Sequence, residues 1–83
     1  MPFDVCIDDK HFLIDCLTIK IMIPDKINNR WRIIVSADKD YFAYDINKSE
    51  PVLFDKENSA IEYVQLIMGA INIVKQLAAD KNK

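Results

Sequence analysis

The side chains able to do chemistry are few. Cys6, Asp8, Asp9 and His11 fall within six residues and are all metal-ligand types. Structural zinc sites recruit paired Cys or His spacings that this run lacks, and alternation turns Cys6 out of a strand while the other three occupy a polar turn, so a solvated turn is expected. His11 is the only histidine, and a serine or cysteine nucleophile would have to use it as its base. Ser36, Ser49 and Ser59 lack the setting of a nucleophile elbow, and no catalytic residue is assigned. Asp38 and Asp40 flank Lys39 like the alternating acids of a calcium loop, but the third acid, the glycine and the distal glutamate are missing. Arg30 and Arg32, the only arginines, bracket Trp31, with Tyr41, Phe42 and Tyr44 following. Basic and aromatic residues together can hold single-stranded nucleic acid, although alternation assigns Trp31, Phe42 and Tyr44 to a core face and Arg32 to an ion pair.

Composition narrows the classes further. A single glycine in 83 residues leaves no room for a phosphate-cradling loop or a dinucleotide fingerprint, so no cofactor is expected. Eleven Lys and Arg against thirteen Asp and Glu give a net charge of -2, which disfavours binding by phosphate neutralisation. Asp4 stands where a secretory leader would carry a cation, and polar residues interrupt the apolar stretch over 61–79 too often for a bilayer span. A cytoplasmic protein with both cysteines free is expected. The excess of Lys over Arg and the many Ile and Asn point to a bacterial or phage coding genome.

The elements that must position these residues follow from period and punctuation. Residues 1–83 form one domain. Phe3, Val5 and Ile7 alternate inward, and a four-residue turn, Asp8-Asp9-Lys10-His11, would set Ile7 opposite Phe12, Val5 opposite Ile14 and Phe3 opposite Cys16. A long strand over 12–23 follows, with a bulge near Cys16 and Leu17 that turns Leu17, Ile19, Ile21 and Ile23 inward. Residues 24–30 read as a loop. Strands over 31–37 and 41–46 make a hairpin around an Asp38-Lys39 turn, which sets Trp31, Ile33 and Val35 against Ile46, Tyr44 and Phe42, and Arg32 opposite Asp45. A short extended piece covers 52–54. Ser59 and Glu62 read as a capping box opening a helix from 60 to about 79, with Lys81 and Lys83 at its negative end. The predicted fold class is α+β: an antiparallel meander of four to five strands with one long C-terminal helix packed on one face.

The helix carries more apolar surface than one sheet contact requires. Ala60, Val64, Ile67, Ile71, Val74 and Ala78 form one stripe, and Tyr63, Leu66, Ala70, Ile73 and Leu77 a second beside it. A stripe left on the flank of so small a domain needs a cover, most simply a second copy. The expected function is therefore a small non-catalytic protein–protein interaction module, homodimeric through Tyr63, Leu66, Ala70, Ile73 and Leu77. Its acidic hairpin tips, Asp8, Asp9, Asp38 and Asp40, offer a second surface, as in an antitoxin-like or phage-encoded inhibitor that occupies a basic site on a larger target. Two alternatives stand beside it: a small-ligand or catalytic pocket between helix and sheet near Tyr44, Tyr63 and Cys16, and RNA binding on the open sheet face.

Overall fold

Two hairpins close through two-residue turns whose central residues lie in the left-handed region: Asp8 and Asp9 (φ 50° and 63°), and Asn28 and Asn29 (φ 49° and 64°). Asp and Asn tolerate this conformation better than other non-glycine residues, so tight primed turns form here without glycine. In the computed structural model, which describes residues 2–81, these turns join β1 (Pro2–Ile7) to β2 (Lys10–Asp15), and β3 (Ile21–Ile27) to β4 (Arg30–Ser36). Then come β5 (Asp40–Asp45), two short strands β6 (Glu50–Pro51) and β7 (Leu53–Phe54), and α1 (Glu57–Lys81). The sheet is antiparallel in the order β2-β1-β5-β4-β3, with β6 on β5 and β7 on β4. The fold is α+β, a sheet with one long C-terminal helix. Lys83 lies outside the described residues.

Several local expectations are corrected. The first turn is two residues long, so Ile7 pairs with Lys10, Val5 with Phe12 and Phe3 with Ile14; parity survives, and the inward faces stay as expected. The strand over 12–23 does not exist as one piece. Asp15 caps a 3-10 turn (Cys16–Thr18): its carboxylate accepts from Leu17 N–H at 2.9 Å, and its carbonyl accepts from the Thr18 hydroxyl at 2.7 Å. After it, Met22 rather than Ile21 and Ile23 faces the core. Pro24 sits inside β3 instead of ending it, which is possible because β3 is an edge strand and needs no donor on its outer side. The β4–β5 loop has three residues, setting Ser36 opposite Asp40, Val35 opposite Tyr41 and Ile34 opposite Phe42. This inverts β5: Tyr41 and Ala43 are buried inward, and Phe42 and Tyr44 lie on the other face. The helix begins at Glu57, since Lys56 C=O already accepts from Ala60 N–H at 3.3 Å, so Ser59 lies inside the first turn and is not the cap.

The connection from β2 to β3 dictates the sheet's curvature. The two strands run parallel at opposite edges, and only residues 16–20 join them. In a flat sheet of this register Asp15 and Ile21 would be about 27 Å apart, whereas six Cα–Cα links reach about 22 Å at most. The sheet therefore curls, and the connection crosses its concave side. Ile19 and Cys16 are buried there with Val5, Met22, Ile33 and Val35, beneath α1, which lies over β3, β4, β7 and the 3-10 turn. Lys75 on α1 donates to the carbonyl of Ile19, tying helix to crossover.

Candidate functional site

Two surfaces are left over once this core is filled. The first is the outer side of α1. Ala60 and Ile71 are buried, and Val64, Ile67, Val74 and Ala78 are half-buried toward the sheet. Leu66, Ile73 and Leu77 are 73%, 61% and 57% exposed, and Ala70 is exposed among them. Tyr63 stands apart from the other four residues of the expected second stripe: it is half-buried, its ring 5.4 Å from that of Phe54. Gly69 lies beside Ala70 mid-helix, and a Cβ added there would meet nothing within 4 Å.

The second surface is a cleft on the sheet face away from the helix. Ladder pairing between β4 and β5 stops at Ile34 and Phe42. Beyond that point Trp31 and Arg32 of β4 pair with Phe54 and Leu53 of β7, and Tyr44 and Asp45 of β5 pair with Pro51 and Glu50 of β6. The two strands splay, and residues 50–54 fill the wedge, with Val52 N–H donating to Ala43 C=O at 2.9 Å. The wedge opens a cleft of about 840 Å³ whose lining includes Arg30, Arg32, Phe42, Tyr44, His11 and Leu53. Arg32 Nε donates at 2.7 Å to Oδ2 of Asp25, its cross-strand neighbour on β3 and not the expected Asp45, and its guanidinium lies 4.1 Å above the Phe42 ring. His11 stacks on Tyr44 at 4.5 Å and 23°, its Nε2 donating to Asp4 Oδ1 at 2.9 Å. This is possible because the short side chains of Cys6 and Asp4 lie between the two rings' strands.

The acidic tips divide in role. The turns at 8–9 and 37–39 do fall at the same end of the sheet. Asp8 and Asp9 rim the cleft, whereas Asp38 accepts from the Tyr41 hydroxyl at 3.0 Å and Asp40 is an exposed strand end. Cys6 lines the cleft as a free thiol, and burial first, then the charge of Asp9, pushes its pKa up, so it stays protonated. Cys16 is also free, in the core. Among the described residues no three His, Cys, Asp or Glu side chains gather for a metal ion. No helix among the described residues is long and apolar enough to cross a membrane. The hollow near Tyr44 and Tyr63 measures about 310 Å³ and does not include Cys16.

Tyr63 borders that hollow, and burial, reinforced by the charge of Asp45, raises its pKa above the ordinary value. The folded chain thus holds the neutral phenol more firmly than the unfolded chain does. This contribution is complete below about pH 10 and is lost as pH climbs through the raised folded value. Melting temperature should fall above pH 10, and Tyr63→Phe should flatten that fall; an unchanged slope would place the alkaline loss elsewhere.

The class defined by this architecture is a small α+β domain with a curled, split antiparallel sheet under one long helix. No protein-family model, curated protein or solved structure matches the chain.

Proposed function

We propose that the protein is a non-catalytic interaction module of the cytoplasm that works as a homodimer, joined through the outer strip of α1 at Leu66, Ala70, Ile73 and Leu77. The observation that carries this reading is Gly69. A mid-helix glycine costs about 1 kcal/mol relative to alanine, and nothing inside the protomer requires it, since its missing Cβ would meet open space. It is the chain's only glycine and lies one turn from both Leu66 and Ile73, on the outer edge of the apolar strip. Two helices crossing there on a two-fold axis approach closely because Gly69 has no side chain between Leu66 and Ile73, and Leu66, Ile73 and Leu77 then close over the crossing with Ala70 on the strip's inner edge. The helix, at 25 residues, is about 37 Å long, enough for the strip to run through a whole contact. The dimer leaves the acidic turns at 8–9 and 38–40 free at the sheet's end, where a basic surface on a target macromolecule would meet them.

Size-exclusion with light scattering tests this. Wild type at tens of micromolar should have twice the protomer mass of 9.6 kDa. Leu66→Glu with Ile73→Glu should be monomeric, and Gly69→Leu should weaken the dimer about tenfold or more by keeping the helices apart. Circular dichroism should be native in both, because these positions face outward. A monomeric wild type, or a double variant still dimeric, would overturn the reading.

A further inference from the structure

We propose that the cleft between the splayed ends of β4 and β5 binds a small aromatic oxyanion: a carboxylate or phosphate on a planar ring, its charged end held by Arg32 and Arg30 and its ring packed among Phe42, Tyr44 and Leu53. Both of the chain's arginines and its one histidine line this single cleft. Arg30 and Arg32 are two residues apart on one strand, so their stems leave the same face about 7 Å apart, a spacing at which two guanidinium groups converge on one anion.

Arg32 is already arranged for the task. Its Nε is committed to Asp25 and its planar face to the Phe42 ring, so the side chain is fixed in the free protein. Its two Nη groups have no hydrogen-bond partner among the described residues. They are the pair of donors that grips a carboxylate or phosphate bidentately, and holding them beforehand removes the ordering cost of binding. Arg30 is looser: its Nε lies 3.6 Å from Asp55, and both side chains are largely exposed, so an incoming anion can take it over. The Tyr44 wall is held by the stacked, Asp4-anchored ring of His11. A volume of about 840 Å³ falls within the range of about 300–1,000 Å³ usual for small-molecule sites.

The rim limits the ligand's size and charge. Asp8 and Asp9 line the same cleft and repel a chain of phosphates running through it. A compact anion with an apolar body satisfies both walls, which a nucleic-acid strand does not.

The test titrates full-length protein with phenyl phosphate, benzoate, inorganic phosphate and a uridine oligonucleotide, following backbone and His11 resonances by NMR. Phenyl phosphate or benzoate should give saturable shifts centred on His11, Arg32, Phe42 and Leu53, and the tighter of the two identifies the charged group. Inorganic phosphate should bind at least about tenfold more weakly, because it lacks the ring. Arg32→Lys keeps the charge but loses the fork and should weaken binding about tenfold or more. Arg30→Ala, at an exposed position that leaves the fold intact, should weaken it several-fold. The proposal is overturned if neither ring compound saturates by about 10 mM, if inorganic phosphate binds as well as phenyl phosphate, if neither arginine variant changes affinity, or if the oligonucleotide binds tightest with steep salt dependence.

Discussion

Replacing Ile33 by alanine should cost about 3 to 4 kcal/mol of folding stability. Ile33 is fully buried at the middle of β4, on the face that α1 covers, and opposite Pro24 of β3. Truncation removes three methyl or methylene groups from contact and leaves a cavity walled by a helix and two strands, neither of which can collapse inward without breaking ladder bonds. For 83 residues total stability is about 4 to 12 kcal/mol, so one substitution removes a large share of it, and the melting temperature should drop by about 15 °C or more. Denaturant midpoints measure the loss, compared at one protomer concentration because the proposed dimer would contribute to apparent stability. A loss below about 1 kcal/mol would mean that β4 presents its other face to the helix.

That β4 faces inward at 31, 33 and 35 was readable from period two alone, as was the inward set of β1, because apolar residues alternate there without interruption. The helix was equally plain, its long apolar arc being unlike anything a strand would carry. What failed was turn length. The parity of β5 rests on whether two or three residues close the loop after Ala37, and one residue inverts the strand. Sorting Phe42 and Tyr44 inward separates apolar from polar residues cleanly but leaves a tyrosine hydroxyl in the core without a partner. In the fold, Tyr41 is buried with its hydroxyl on Asp38, and Ala43 is the small residue that lets β1 approach through Val5.

This inversion also explains why the cleft escaped sequence reasoning. With Phe42 and Tyr44 assigned to the core and Arg32 to Asp45, the aromatic and basic residues around Trp31 had no surface to share. The sequence pairs the right arginine with the wrong acid: Asp25 lies in β3, just after a Pro24 that signals a strand end but that an edge strand tolerates. The splay of β4 from β5 left no periodic trace at all, because β6 and β7 are two residues each and depend on main-chain pairing. The exposure of the helix strip is legible from the helical period. Four of its five residues lie exposed in one line, and only Tyr63, at its border, turns toward Phe54.

The crossover between β2 and β3 yields the second large effect. Ile19→Ala should cost about 3 kcal/mol, while Leu17→Ala, Ile21→Ala and Ile23→Ala should each cost about 1 kcal/mol or less. By alternation these four apolar residues are equivalent, and one continuous strand would bury them all. They are not equivalent in the fold, because the 3-10 turn capped by Asp15 breaks the period: Ile19 is 0% exposed, against 41%, 49% and 47% for Leu17, Ile21 and Ile23. The chain crosses the concave side of the sheet at Ile19, whose side chain fills the core as its carbonyl takes the Lys75 ammonium. Losing that side chain unpacks the crossover from both sheet and helix at once. Four comparable losses in urea midpoints would mean that β2 runs unbroken into β3, and the curled sheet that the five-residue connection demands would fall with it.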